Sequence, residues 1–203
     1  GLTQVRVRGA EANHVKVILD GIELNNPGFG DEYGFGHLDL TGVNAVELIN
    51  GPQSSIWGSD ALAGLIYIDS SPVGNISRID IAGGSHTTRD ASFTVSRLSE
   101  AGHFSSTASH FSTAGTNISR QGEEDDAYSN TTLHLNVLRK INELTIEFVV
   151  RNVSAEVEFD PVPSPKFVPA DGNRITKSRQ RYAKIETRFE GFDIWLPHLS
   201  VTS

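Results

Sequence analysis

The sequence predicts a mainly β protein, in which a glycine-rich first part is followed by an antiparallel, up-and-down series of strands. Apolar and polar residues alternate with period two over several later segments, as they do in strands that present two different faces. Before Pro72, short apolar runs are separated by glycine-rich turns. No run approaches the roughly 18 apolar residues of a membrane helix, but strands that cross a membrane carry only a weak alternating signal and fit the pattern.

The first part contains three short apolar runs that predict strands: Val15–Leu19, Val46–Ile49 and Leu62–Ile68. Asp20-Gly21 follows the first run and predicts a tight turn, because glycine tolerates positive φ and aspartate bonds nearby amides. Gly51-Pro52 ends the second run. Gly58-Ser59-Asp60 predicts the cap of a short helical turn at Ala61.

The second part begins after a linker at Ser70–Asn75, and its alternation predicts about seven strands. The predicted strands lie near Ile76–Gly84, Asp90–Ser96, His103–Ala114, Thr132–Val137, Leu144–Phe159, Ala183–Phe189 and Asp193–Val201. Within the fifth strand the apolar residues change from even-numbered to odd-numbered positions after Arg151, which predicts a β-bulge near Arg151–Asn152.

The predicted connections alternate in length. Short turns lie at Ser99–Gly102, Lys140–Glu143 and Glu190–Asp193, and long polar loops run over about 116–130 and 160–177. Short turns on one rim and long loops on the other are typical of an outer-membrane barrel. A soluble antiparallel meander has the same alternation, and the polar second face suits ordinary solvent as well as a hydrated lumen. Periodicity alone leaves both interpretations open.

Composition and motifs exclude several function classes. The chain carries 17 Lys and Arg against 25 Asp and Glu, a net charge of −8 that argues against nucleic-acid binding. Cysteine is absent, and no phosphate loop, nucleophile elbow or paired histidine ligands are present, so the sequence predicts neither an enzyme nor a cofactor or metal site. The acidic run Glu123–Asp126 fits either a calcium site or a solvated loop.

Four motifs in the first part keep a common order and spacing. They are Val7-Arg8-Gly9, Val17-Ile18-Leu19-Asp20-Gly21-Ile22, the stretch from Val46 through Asn50-Gly51-Pro52-Gln53-Ser54 to Trp57-Gly58-Ser59-Asp60-Ala61, and Ala63-Gly64-Leu65-Ile66-Tyr67-Ile68. This region resembles the C-terminal half of the plug domain of TonB-dependent outer-membrane receptors, with a layout most similar to vitamin B12-type receptors. Asn50, Trp57 and Ala63 depart from the family's arginine, tyrosine and glycine.

The resemblance implies that residues 1–71 are the C-terminal part of a plug and residues 76–203 the first approximately seven strands of a transmembrane barrel of about 22 strands. It implies a fragment of a receptor in the bacterial outer membrane that takes up a large, scarce nutrient: a metal chelate such as a siderophore complex, cobalamin or a glycan. The TonB complex would supply energy through a plug segment that this chain lacks. The alternative is a soluble secreted β-rich binding or adhesive module.

The resemblance also indicates candidate site residues. The glycine-rich segment 25–37 is expected to meet the ligand, through side chains that supply amide, carboxylate and aromatic groups: Asn25, Asn26, Asp31, Tyr33 and His37. Arg8 matches a family arginine that contacts the barrel.

The apolar residues of the alternating strands are expected to face lipid: Ala91, Phe93, Val95, Leu133, Leu135, Val137, Ile146 and Phe148. Because about seven strands cannot close such a barrel, the isolated chain is expected to self-associate.

Overall fold

A computed structural model describes residues 3–58, 60–117, 119, 125–165, 167–170, 172, 174–190 and 199–202. The described residues form two sheets. The first has four strands in the order β2-β1-β4-β3, and the second has seven strands in sequence order from β5 to β11. A mainly β fold is therefore confirmed.

The first sheet lies in the N-terminal unit, by which we mean residues 3–73. Its strands are β1 (Val15–Leu19), β2 (Ile22–Glu23), β3 (Ala45–Asn50) and β4 (Gly64–Asp69). The predicted tight turn is present, because Asp20 (φ 49°) and Gly21 (φ 80°) join β1 to β2 in the left-handed region. β1 runs parallel to β4, whereas β3 is antiparallel to it and ends before Gly51-Pro52.

The predicted helical turn at Ala61 is wrong. The structure has one turn of α-helix, α1 (Ser54–Trp57), that ends at Gly58, where φ is 89°. Gly58 donates a backbone hydrogen bond to Ser54. The glycine therefore stops a preceding helix rather than starting a following one, which is the commoner position for glycine at helix ends.

The second sheet is the strand wall, formed by β5 (Ile76–Gly83), β6 (Arg89–Ser99), β7 (Gly102–Thr113), β8 (Tyr128–Ile141), β9 (Leu144–Phe159), β10 (Arg174–Phe189) and β11 (Leu199–Thr202). Each strand is antiparallel to the next. Short connections at 100–101 and 142–143 alternate with longer ones at 114–127 and 160–173. We call the end with the longer connections the outer rim.

The predicted bulge at Arg151–Asn152 is also wrong. β9 pairs with β10 from Leu144 to Phe159 and with β8 from Leu144 to Val157, each in one uninterrupted register. The apolar positions change because Val149, Val153 and Ala155 lie on the inward face and are buried, and Val149 packs in the core of the N-terminal unit. A covered inward face accepts apolar residues without any irregularity in the strand.

The wall has two chemically different faces. On β8 the inward residues Asn130, Thr132, His134 and Asn136 are all buried, whereas the outward Leu133 is 51% exposed. Phe93 on β6 and Phe148 on β9 also point outward and are exposed. The predicted alternation is confirmed, and lipid contact stays a prediction. No helix among the described residues is long and apolar enough to span a membrane.

The hydrophobic core joins the two sheets. It consists mainly of residues from β1, β2 and β4, and it continues into the wall through Val149 and Tyr182. The N-terminal unit therefore packs directly on the inward face of β9 and β10.

Candidate functional site

A buried polar cluster fastens the N-terminal unit to β8. The Asp20 carboxylate accepts hydrogen bonds from the backbone N–H (2.8 Å) and the hydroxyl (2.6 Å) of Ser70. His134 Nε2 lies 3.1 Å from Asp20 Oδ2 and 2.7 Å from Ser70 Oγ. Asn136 Nδ2 lies 3.4 Å from the same hydroxyl. Burial by itself raises the pKa of Asp20, but hydrogen bonds from His134 and Ser70 outweigh it and hold that pKa below its ordinary value.

A second polar contact joins the unit to β7 and β9 through Asp39. Its carboxylate accepts hydrogen bonds from the Ser109 hydroxyl and from the backbone N–H of Thr41. Arg151, which is only 2% exposed, donates from Nη2 to the Asp39 carbonyl at 2.7 Å. Burial raises the pKa of the Asp39 carboxyl, and the hydrogen bonds from Ser109 and Thr41 reverse the effect, so the pKa lies below its usual range. Asp39 therefore remains a carboxylate at neutral pH.

The segment 25–37 is held in shape mainly by its own amides. Asn25 is buried; its side chain donates to the carbonyls of Val15 (3.0 Å) and Asp31 (2.7 Å) and accepts from the N–H of Val17 (2.7 Å). The Asn26 side chain accepts from the N–H of Gly28 and caps a 3-10 turn. Two of the five predicted ligand residues thus have well-defined bonds within the N-terminal unit.

The remaining predicted ligand residues lie in different surroundings. Tyr33 is buried in the core and packs edge-on against Phe35 at 5.0 Å between ring centroids, and burial raises the pKa of its hydroxyl. Asp31 is half-buried at a left-handed position with φ 61°. His37 is half-buried at the wall, and burial lowers the pKa of its imidazole. The structure therefore does not bring the five side chains together in one pocket.

His37 instead joins a cluster at the outer rim that the sequence did not predict. Its ring stacks on Tyr128 at 6.1 Å between centroids, and Tyr128 packs against Phe111 at 6.0 Å. The Tyr128 hydroxyl donates to the carbonyl of Gly36, and the Asn130 amide donates to the carbonyl of His37, both at 3.0 Å.

Beside this cluster is a cavity of about 240 Å³, which we call the rim cavity. It is lined by residues of both the N-terminal unit and the wall: Gly36, Leu38, Asp39, Thr41, Asp90, Phe111, Tyr128 and Asn130. Aromatic rings, an amide and two carboxylates supply the few polar groups and the apolar surface that binding sites combine.

The other two expectations concern Arg8 and the acidic run. Arg8 is exposed in a turn at φ 52°, so its predicted contact with the wall stays a prediction. The polar contacts described above are made by Asp20, Asp39 and Ser70 and by the carbonyls of Gly36 and His37. Glu123 and Glu124 lie outside the described residues. Within the described part of the chain, no three acidic or histidine side chains are grouped to hold a metal ion.

Comparison with known families identifies the N-terminal unit. Residues 1–65 match the family model described as the TonB-dependent Receptor Plug Domain. The chain carries the plug domain of a TonB-dependent receptor. This assignment confirms the predicted family, and a receptor of this family is a protein of the bacterial outer membrane and not an enzyme.

A solved structure supports the same fold. The chain is similar to a protein titled "Copper transporter OprC" with a TM-score of 0.63 and 15% sequence identity, over 86% of this chain. The matched region is 26% of that protein, so this chain spans about a quarter of the length of the transporter. Similarity to vitamin B12-type receptors and a parent barrel of about 22 strands stay predictions.

Little in the sequence indicated that Asp20, Tyr128 and Asn130 make contacts between the N-terminal unit and the wall. Asp20 was expected to form a turn, and it does, but its carboxylate also reaches across to His134 on β8, 114 positions along the chain. Tyr128 and Asn130 were expected to lie in the long loop 116–130, and that boundary is wrong, because β8 begins at Tyr128 and both side chains lie on its inward face. Their partners depend on how the two sheets pack.

Proposed function

We propose that this chain is part of a TonB-dependent transporter that binds a large, scarce nutrient at the outer rim and takes it up with energy from the TonB complex. The division into a plug part (1–71) and barrel strands (76–203) agrees with the two sheets, which separate between β4 and β5. The outward apolar residues would contact outer-membrane lipid.

The candidate nutrient classes are a metal chelate, cobalamin and a glycan. Copper is a further candidate because the similar solved structure is titled a copper transporter.

The observation that supports this function best is the position of the rim cavity. It lies where segment 36–41 of the N-terminal unit meets the wall, next to the long connection 114–127. In outer-membrane barrels the longer loops are extracellular, so a ligand arriving from outside would meet this cavity first. His37, which stacks on the lining residue Tyr128, would present a ligand-binding group beside this cavity. Asn26 and Asp31 would present such groups elsewhere on segment 25–37, while Asn25 and Tyr33 would hold the segment in shape.

The test uses the full-length receptor in its native membrane. We expect His37→Ala to weaken binding of the nutrient about tenfold, which corresponds to about 1.4 kcal/mol. His110→Ala is the matched control, because His110 lies near the same rim but is exposed on the outward face of β7. Labelled ferric siderophore, cobalamin, oligosaccharide and copper salt are the probes, each assayed for surface binding and for TonB-dependent uptake.

Each result of this assay has a defined meaning. TonB-dependent uptake of one probe, with binding reduced by His37→Ala but not by His110→Ala, would support the proposal. Uptake that is independent of TonB would contradict transport of this class, and equal binding by both variants would contradict a ligand site at His37.

A further inference from the structure

The outward face of β10 carries a row of basic residues that the proposed function does not use. The inward face of this strand is marked by Tyr182 and Lys184, which are both buried. Because side chains alternate along a strand, Lys177, Arg179 and Arg181 are three successive outward residues. All three are exposed. We call them the basic row.

The pairing of β10 with β9 fixes the direction of the basic row. The two strands pair without interruption over the whole length of β10, so this direction does not depend on the open edge of the sheet. Polar residues of β9 lie opposite each member of the row, and the pairs are Lys177 with Glu156, Arg179 with Ser154 and Arg181 with Asn152.

Of the three cations, only Lys177 has an anionic partner within the described part of the chain. Its Nζ atom lies 3.0 Å from Glu156 Oε2 in an exposed salt bridge. The other outward acid at this end of β9, Glu158, accepts a hydrogen bond from a backbone N–H of the connection before β8. Arg179 and Arg181 lie opposite neutral side chains. Their guanidinium groups are therefore available to an anion from outside the chain.

The basic row begins where the outward apolar residues end. Outward residues of β9 from Leu144 to Val150 are apolar, and Val150 lies opposite Ala183 on β10. The next outward residue of β10 towards the outer rim is Arg181. In outer-membrane barrels the apolar band lies in the hydrocarbon layer and the longer loops are extracellular. This order places the basic row at the level of the lipid headgroups of the outer leaflet.

The chemistry of the row matches a phosphate group. A guanidinium is planar, stays charged and donates paired hydrogen bonds to phosphate oxygens. Alternate residues of a strand are about 7 Å apart, so Arg179 and Arg181 can contact one phosphate or two phosphates of the same molecule. Long basic side chains beside a membrane keep their stems on the apolar surface and their charges at the headgroups.

We propose that the basic row is a binding site for the phosphate groups of a lipid in the outer leaflet of the outer membrane. The inference rests on the proposed function, in which the outward apolar residues contact lipid. Arg179 and Arg181 bind the phosphate, and the side chains of Asn152 and Ser154 beside them donate further hydrogen bonds. The acyl chains lie along the apolar outward residues of β9 and β10. Lys177 contributes less because it is already paired.

The first test measures lipid binding by the full-length receptor purified in detergent. The probe is lipid A that carries two phosphates, and the same lipid without phosphates is the second probe, each titrated by native mass spectrometry. Arg179→Gln combined with Arg181→Gln should weaken binding of the phosphorylated lipid at least tenfold and leave binding of the second probe unchanged. Inorganic phosphate at equal concentration should not displace the lipid, because it lacks acyl chains.

The matched control removes the same two charges from other places. It combines Arg139→Gln with Arg174→Gln. Arg139 is an exposed outward residue at the opposite end of the wall, and Arg174 is an exposed residue on the inward face of β10. We expect this control to bind the phosphorylated lipid as tightly as the unsubstituted receptor does.

The second test locates the lipid by photo-crosslinking in vesicles that contain the phosphorylated lipid. A benzophenone is attached to single cysteines in the full-length receptor, made cysteine-free elsewhere. Ser154→Cys places it beside the basic row, Leu135→Cys places it in the apolar band, and Thr176→Cys is the control on the inward face of β10. Labels at 154 and 135 should cross-link to the lipid at least tenfold more than the label at 176.

The outcomes separate this inference from the proposed function. The phosphate site would be overturned by equal affinity of the Arg179 and Arg181 variant and the unsubstituted receptor, by equal binding of the two lipids, by displacement with inorganic phosphate, or by equal cross-linking from 154 and 176. Each of these results leaves the transporter in place. Absence of lipid cross-links at 135 would overturn the lipid contact of the proposed function, and this inference with it.

Discussion

Among individual residues, Asp20 combines a local and a long-range role. Locally it adopts φ 49° beside Gly21, a left-handed position that aspartate tolerates better than most residues. At long range its carboxylate is buried against His134 and Ser70. A charged group that is buried and fully hydrogen-bonded is costly to disrupt, because removing one partner leaves the others unsatisfied.

We predict that Asp20→Asn loosens the N-terminal unit from the wall at neutral pH. Loss of the charged acceptor should cost about 2 kcal/mol. Because the folded-state pKa of Asp20 lies below its unfolded value, the stabilisation is complete above about pH 4 and is lost as the pH falls through the folded pKa. Hydrogen exchange of β1 and β4 in the full-length receptor measures the effect.

The matched control for that prediction is Asp69→Asn. The Asp69 carboxylate accepts a hydrogen bond from the N–H of Ser71 at 2.8 Å and is not part of the Asp20 cluster. Exchange at neutral pH should be faster only in Asp20→Asn, and acid should accelerate exchange in the unsubstituted protein more than in this variant. Identical pH profiles would show that the Asp20 carboxylate contributes nothing to the contact.

Gly42 lies directly against Thr107 of β7. It has φ 76°, and a Cβ there would lie 2.1 Å from the Thr107 Oγ1 atom. Gly30 has a similar φ of 69° but no atom within 4 Å of the corresponding position. Both alanine variants carry the same left-handed strain, so their difference isolates the steric clash.

We predict that Gly42→Ala destabilises the packed unit by about 1–3 kcal/mol more than Gly30→Ala does. Adding Thr107→Ala to Gly42→Ala should restore most of that difference, since it removes the clashing oxygen. Protease resistance of the unit in the full-length receptor gives the comparison. Equal resistance of the two single variants would show that the unit and β7 are not in contact at Gly42.

For whole strands, the inward and outward faces follow different rules. The outward face is apolar along β6, β8 and β9, whereas the inward face changes from small hydroxyls on β6 and β7 to amides and a histidine on β8 and then to apolar and charged residues on β9 and β10. This gradient follows what each strand covers. Strands β9 and β10, which pack on the core of the N-terminal unit, carry large or apolar residues, whereas β6 and β7 carry small polar ones.

We predict that Leu135→Arg, near the middle of β8, destabilises the barrel by about 2–4 kcal/mol. The outward position would place the guanidinium at the centre of the membrane. Ile141→Arg at the end of β8 is the control and should cost about 0–1 kcal/mol, because charge is tolerated near the interface. Unfolding of the full-length receptor in phospholipid vesicles measures both, and equal costs would contradict a membrane-crossing β8.

For the molecule as a whole, the strand wall is an open sheet. Among the described strands, β5 and β11 each have a partner on one side only. Unpaired edges with exposed apolar neighbours recruit further strands. Ile79 and Ile81 on β5 are 70% and 81% exposed, so the edge is also apolar.

We predict that the isolated 203-residue chain does not remain a monomer without detergent. Size-exclusion chromatography with light scattering should give masses above the 22.0 kDa of one chain. Ile79→Lys with Ile81→Lys should shift the distribution towards the monomer, because charge protects an edge strand. A stable monomer of the unsubstituted chain would show that its edges are closed in solution.

Local sequence patterns were sufficient for the fold class, the tight turn at Asp20-Gly21, the two faces of the strands and the family. Each depends on neighbours in the chain: alternation with period two, or a glycine that permits positive φ. They failed at Ala61 and at Arg151–Asn152. At Arg151–Asn152 the deciding factor was whether another part of the molecule covers the inward face of β9.

The partners of Asp20, Asp39 and His37 were decided by tertiary structure alone. Ser70 and His134 meet Asp20 because β1, β4 and β8 pack together, and Tyr128 meets His37 because β8 begins at the outer rim. Such contacts join residues far apart in the chain, and no local propensity records them. The sequence therefore determined which side chains point inward, while the packing of the two sheets determined which of them meet, and which leave a cavity between them.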